Sequence, residues 1–162
     1  MTPPEPSCEV YWDACVFLSA VDKVPDRMPV IESLMADAEN GRLRIYTSTL
    51  SITEVAYAKN EKAKTALDPA IEEKIDQLWI PPSPVVLVEL HQGIAMRAKA
   101  LIREAMTMGW SLKPADAIHL ASAEAMNVSE FNSYDGPLAK YEAILPYKIG
   151  PPYAAVLPMP TA

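Results

Sequence analysis

The 162-residue chain is half hydrophobic, which suits a single domain with a sizeable core. Its 21 Asp and Glu against 14 Lys and Arg give a formal charge of −7, opposite to the basic footprint most nucleic-acid binders carry. Cys8 and Cys15 offer neither a disulfide framework nor zinc spacing, and neither a basic leader nor a run of about 18 apolar residues is present, so a soluble cytoplasmic protein is expected.

The first apolar run, VYWDACVFLSA, reads as a buried strand interrupted by one carboxylate, Asp13. A buried ionised acid must be paired, ligated or protonated. EVYW is the strand proper, and after VDKVPDR the spacing of Ile31, Leu34, Met35 and Ala38 predicts a helix that stops at Gly41. RLRIYTS is a second strand, followed by a helix over SITEVAYAKNEK and another over DPAIEEKIDQLW, with Asp68 as N-cap and Pro69 in its first turn. IPPSP ends that helix, and PVVLVEL is the third strand.

QGIAMRAKALIREAMTM is the longest helix, amphipathic by its Ile94, Ala98, Leu101, Ile102, Ala105 and Met106 stripe. KPADAIHLASAEAM is apolar nearly all round and should be buried on most sides. EFNSYD is a fourth strand, GPLAKYEA a short helix and YKIG a fifth strand. One domain over 1–150 is expected, with an extended proline-rich tail over 151–162. Strands alternating with helices predict a parallel sheet covered on both faces, whose sites gather at the carboxyl ends of the strands.

That rule gives meaning to four acids. Asp13 ends the first strand, Glu54 opens the helix after the second, Asp116 lies in the first turn of the buried helix, and Asp135 follows the fourth strand. Each has an ordinary reading: Asp13 as an N-cap, Ser51-x-x-Glu54 as a capping box, Asp116 as a helix-dipole partner and Asp135-Gly136 as a turn. Together they would repel unless a cation balances them, and an all-oxygen set suits Mg²⁺ or Mn²⁺ better than Zn²⁺. Two helices separate the third and fourth strands, so Asp116 reaches that edge only if the long helix turns aside.

YWDACVFL, TSTLSITEV, ADAIHLASA and FNSYDGPLAKY, in this order, resemble the PIN-domain nucleases, especially the toxin subunits of VapBC-type toxin–antitoxin pairs. The resemblance implies a three-layer α/β/α sandwich around a parallel sheet of four or five strands, and an endoribonuclease that hydrolyses RNA phosphodiester bonds with Mg²⁺ or Mn²⁺. Asp13, Glu54, Asp116 and Asp135 match the family's acids, and Ser133 matches a small hydroxyl residue often found two before the last acid. Cys15 departs from the Asn or Ser of many members. A small antitoxin, with a helix in an apolar groove and a basic side chain in the acidic site, and a homodimer are further implications. The alternative is a PIN-like module that binds RNA or protein without cutting.

His119, three residues after Asp116, could orient that acid or touch substrate, although a packed histidine is the simpler reading. Lys113 could contact a phosphate, and Arg42, Arg44, Lys59 and Lys62 could line the approach, with a solvated charged face as the plainer account. Trp12, Trp110 and Tyr134 could stack bases but suit core packing better. Neither Gly-x-Gly-x-x-Gly nor Gly-Lys-Ser/Thr occurs, which excludes the common nucleotide-binding loops. A strand-end aspartate phosphohydrolase needs an acid where Cys15 stands.

Overall fold

The structure, a computed structural model, describes residues 8–154; the predicted tail from 155 on lies outside the described residues. Five parallel strands form one sheet in the order β3-β2-β1-β4-β5: β1 Cys8–Trp12, β2 Leu43–Ser48, β3 Val86–Val88, β4 Glu130–Asn132 and β5 Lys148–Gly150. The helices are α1 Ala14–Val21, α2 Met28–Glu39, α3 Leu50–Glu54, α4 Lys59–Lys64, α5 Pro69–Asp76, α6 Gln92–Thr107 and α7 Pro114–Ala125. The segment predicted as a last short helix is a 3₁₀ run over Gly136–Ile144.

Alternation along β1 divides the core, because successive side chains of a strand point to opposite faces. Tyr11 joins α6, α7, Phe131 and Tyr147 on one face. Val10 and Trp12 join α1, α2, Ile45, Val55 and Ile75 on the other. Tyr11 stacks on Phe131 at 5.1 Å between ring centroids, and Phe17 sits between Trp12 at 5.5 Å and Trp79 at 4.9 Å. Each such buried ring contributes about 1.5–3 kcal/mol over exposure. The result is an α/β/α sandwich, as the strand and helix pattern predicts.

Two elements differ from the sequence expectation. The strand ends at Trp12 as EVYW predicts, but the rest of the apolar run, given no element of its own, is the helix α1, which Asp13 caps by accepting from Cys15 N. A side-chain acceptor at that position offers the backbone a helix start in place of another extended residue. The helix predicted over 51–62 is broken into α3 and α4. Glu61 starts the second piece, with Oε1 accepting from Ala58 N at 2.8 Å and Oε2 from Asp68 N at 2.8 Å. Ser51 lies inside α3, whose N-cap is Thr49, so Ser51-x-x-Glu54 forms no capping box.

The chain solves the two-helix crossover with a hairpin. Arg97 Nε, early in α6, donates to Glu124 Oε1, late in α7, at 2.7 Å, so the two helices run antiparallel. Gly109, at φ +75°, takes the left-handed turn that ends α6, and Trp110 N closes it on Ala105 O at 2.9 Å. α7 then leads into β4 after four residues, which puts its first turn, with Asp116, at the carboxyl edge of the sheet.

Candidate active site

Asp13 is 6 % exposed at the end of β1, where its backbone N still bonds Asn132 O of β4 at 3.2 Å. Its Oδ1 accepts from the Cys15 thiol at 2.7 Å and from Cys15 N at 3.2 Å. The same sulfur lies 3.2 Å from Ser133 Oγ and accepts from Tyr134 N at 3.2 Å, while Ser133 Oγ accepts from Asp135 N at 3.0 Å. Cys15 and Ser133 thus stitch Asp13 to the loop that carries Asp135. A thiol does here what the hydroxyl or amide of a Ser or Asn would do.

Burial sets the electrostatics. It raises the Asp13 carboxyl above its ordinary range, against the lowering effect of hydrogen bonds from Cys15 and Ser133. It also pushes the Cys15 thiol up to about 12, helped by the charge of Asp13, so the group remains a donor near neutral pH. Asp116 is raised first by burial, then by the charges of Asp135 and Asp13, with His119 opposing and Glu54 adding to the rise. All three other acids therefore act on Asp116 through space. They hang from elements that meet at the carboxyl edge of the sheet.

Glu54, at the end of α3, has a side chain 31 % exposed and takes a hydrogen bond from His119 Nε2 of α7 at 2.5 Å. His119 is buried, and its Nδ1 lies 2.6 Å from the Tyr11 hydroxyl of β1. That hydroxyl accepts from Ser48 N, at the end of β2, at 2.8 Å. Thr47 Oγ1 donates to Trp12 O at 2.7 Å and lies 2.7 Å from Ser51 Oγ, which pins the start of α3 to the end of β1. Asp135 is exposed and makes no side-chain cap bond to the 3₁₀ run that follows. Among the described residues no group of three or more His, Cys, Asp or Glu side chains converges as a ready-made metal site. The four acids are electrostatic neighbours held from different elements.

The remaining candidates separate clearly. Lys113 is exposed and is the N-cap residue of α7, three before Asp116. Arg42 pairs with Asp37 at 2.8 Å and Arg44 with Glu9 at 2.9 Å, so neither cation points at the site unengaged. Lys59 lines a separate pocket with Lys23 and Lys74, and Lys62 lies over Tyr57. Trp12 is buried in the core and Trp110 packs edge-on against Tyr141 at 5.4 Å.

Tyr134 carries the Arg27 guanidinium 3.9 Å above its ring, and Arg27 also donates to Ser19 Oγ at 2.9 Å. Arg27, Tyr11 and Thr47 are the residues sequence reasoning passes over. Arg27 sits in an unpatterned linker, and a tyrosine or threonine inside a strand has no mark that separates a working hydroxyl from a packed one.

Residues 10–144 match the family described as PIN domain. The chain belongs to the PIN-domain family. PIN domains are generally nucleases and typically use divalent metals. Solved structures share the fold at low identity. The VapBC2 structure of Rickettsia felis, bound to a promoter DNA fragment, is 17% identical over 90% of this PIN domain and 99% of that chain, with a TM-score of 0.61. The Mycobacterium tuberculosis VapC20 structure, a sarcin–ricin loop cleaving toxin, gives 12% identity, 92% and 99% coverage and 0.60. FitAcB from Neisseria gonorrhoeae gives 14%, 87% and 96%, and 0.60. No curated protein matches this PIN domain in sequence.

Proposed function

We propose that this PIN domain is a metal-dependent endoribonuclease, the toxin of a type II toxin–antitoxin pair. The observation that carries the reading is the electrostatic convergence of Asp13, Asp135 and Glu54 on Asp116 at the carboxyl edge of the sheet. Four carboxylates from four elements gain nothing from mutual repulsion in a purely structural role. Their donor set is all oxygen, with a deficit of positive charge, and it fits Mg²⁺ or Mn²⁺.

Asp13, Glu54, Asp116 and Asp135 would hold the ion. When bound, it supplies Lewis-acid activation of water and charge stabilisation at the phosphate. The chain's own share of the work is positional. Cys15 and Ser133 hold Asp13 against the loop of Asp135, His119 holds Glu54, and the α6–α7 hairpin delivers Asp116. Lys113, exposed three residues before Asp116, would contact a substrate phosphate, and Arg27 lies over the ring of Tyr134, the residue before Asp135.

The solved VapBC2 and FitAcB structures support a small antitoxin as partner. Exposed apolar side chains, among them Ile52, Tyr57, Leu90 and Met96, offer surface for it and for a homodimer. No helix among the described residues is long and apolar enough to cross a membrane, in keeping with action in the cytoplasm.

The test is cleavage of RNA by purified protein. EDTA should abolish it and Mn²⁺ restore it, and Asp116→Asn should bind RNA without cutting. Cutting that persists in EDTA would overturn the mechanism. Binding without any cleavage in Mn²⁺ would make the chain a non-catalytic PIN module.

A further inference from the structure

Three of the four acids hang from elements that meet at one buried chain of hydrogen bonds. Tyr11 lies two residues before Asp13 on β1, His119 lies one turn after Asp116 on α7, and Glu54 ends α3. Tyr11 Oη, His119 Nδ1, His119 Nε2 and Glu54 Oε1 follow one another in hydrogen-bond contact. Tyr11 is fully buried and His119 is 2 % exposed, so the chain ends in solvent only at the glutamate.

The direction of these bonds follows from donor counting. Tyr11 Oη accepts from Ser48 N at 2.8 Å. A phenol keeps its proton near neutral pH, and inside the core that proton needs an acceptor. His119 Nδ1, at 2.6 Å, is that acceptor. A neutral imidazole that accepts at Nδ1 carries its hydrogen on Nε2, and Nε2 faces Glu54 Oε1. The ring is also held edge-on to Tyr11 at 5.8 Å between centroids, which leaves it little freedom to flip.

We propose that Tyr11 and His119 are positioning residues that fix the tautomer of the imidazole and, through it, the orientation of the Glu54 carboxylate relative to Asp116 and Asp13. The proposal rests on reading Glu54 as a metal-binding acid. It adds that the tyrosine sets the histidine and the histidine sets the glutamate. Without the pair, a glutamate at the end of a five-residue helix would sample several rotamers, and the ion would have to order it on binding. Ser48 N joins β2 to the same chain, so two strands, β1 and β2, and two helices, α3 and α7, are tied together at one point.

The metal-free protein gives a readout independent of cleavage. In ¹⁵N-histidine NMR, with His91 assigned by its own substitution, His119 should show the Nε2–H tautomer with a hydrogen-bonded Nδ1, and Tyr11→Phe, which keeps the stacking on Phe131, should shift the Nδ1 resonance towards that of a free acceptor nitrogen. Mn²⁺ affinity gives the second readout. His119→Ala should weaken Mn²⁺ binding by about 10–100-fold, the usual cost of losing a partner behind a ligand. His119→Gln, whose amide N–H reaches the Nε2 position, should recover most of that loss, and Tyr11→Phe should fall between. In a Glu54→Gln background, His119→Ala should cost nothing more.

Wild-type affinity in both His119→Ala and Tyr11→Phe would overturn the proposal, as would an undiminished His119→Ala loss in the Glu54→Gln background. Either result leaves the nuclease reading intact. Conversely, Mn²⁺ binding that follows the expected order in a protein that never cuts RNA would support the positioning role while removing the nuclease reading.

Discussion

Replacing Asp13 by Asn separates the cost of the buried charge from its use. Asn caps a helix as well as Asp does, so the bond from Cys15 N survives and α1 still starts at Ala14. What disappears is a carboxylate only 6 % exposed, whose ionised form burial opposes. Relief of that desolvation should add about 1–3 kcal/mol, and weakening of the thiol bond from charge-assisted to neutral should remove about 1 kcal/mol. A net gain of about 1 kcal/mol raises Tm by about 2–4 °C in a domain of this size.

The pH dependence has a fixed sign. The folded-state value of Asp13 lies above the ordinary 3.8, so the folded protein binds the proton more tightly than the unfolded chain. The penalty is fully present above the raised folded value and is relieved as pH falls through it towards 3.8. The wild type should therefore close the gap to Asp13→Asn as the solution is acidified. Added Mn²⁺ reverses the ranking, because ligand at 100 times its Kd stabilises the wild type by about 2.7 kcal/mol and the variant hardly at all. Thermal unfolding of both proteins in EDTA and in Mn²⁺, at several pH values, reads all of this. A variant that melts lower in EDTA yet keeps the full Mn²⁺ shift would refute the assignment of Asp13 as a costly charge retained for a cation.

Two further predictions follow from the same packing. With its thiol pushed up to about 12, Cys15 should react with Ellman's reagent only after unfolding, while the exposed Cys8 reacts in the native state; rapid titration of both thiols would contradict the buried Cys15–Asp13 bond. Phe17→Ala, which empties the space between Trp12 and Trp79, should cost about 3–5 kcal/mol in urea unfolding. The Mn²⁺ shift should remain in that variant, since the hydrogen bonds that hold Asp13 and Glu54 do not involve the Phe17 side chain.

Architecture was legible because periodicity reports which faces are buried, and both faces of a parallel sheet are. β2, α6 and α7 stand within a residue of their predicted limits, and β4 stops three residues short of its own. Asp68 with Pro69 starts α5 as local chemistry requires. Two things were hidden. The apolar run after EVYW does not by its composition announce a helix, and the cap bond of Asp13 is what starts α1 there. Glu61, read as one more helical residue, cuts a predicted helix in two by taking bonds from Ala58 N and Asp68 N, a long-range choice with no local mark. The partners of the acids were hidden for the same reason. His119 stands one turn from Asp116, yet it serves Glu54, 65 positions away in sequence.

The acidic balance of the chain bears on how it would meet RNA. Part of its positive charge is spent internally: Arg42, Arg44 and Arg97 are each paired with a carboxylate. Such partly exposed pairs add only about 0.2–1 kcal/mol of stability apiece, but they lower the field available to a polyanion. Four more acids stand at the very edge where a phosphate would arrive. On the ribonuclease reading, attraction would therefore come from the loaded ion and from exposed Lys113, three residues before Asp116, and not from a broad basic surface. On that reading the protein would recognise RNA through a point of high positive charge set in a repulsive surround. Its grip on RNA is then inseparable from its grip on the metal, and the hydrogen bonds that orient Asp13 and Glu54 govern both.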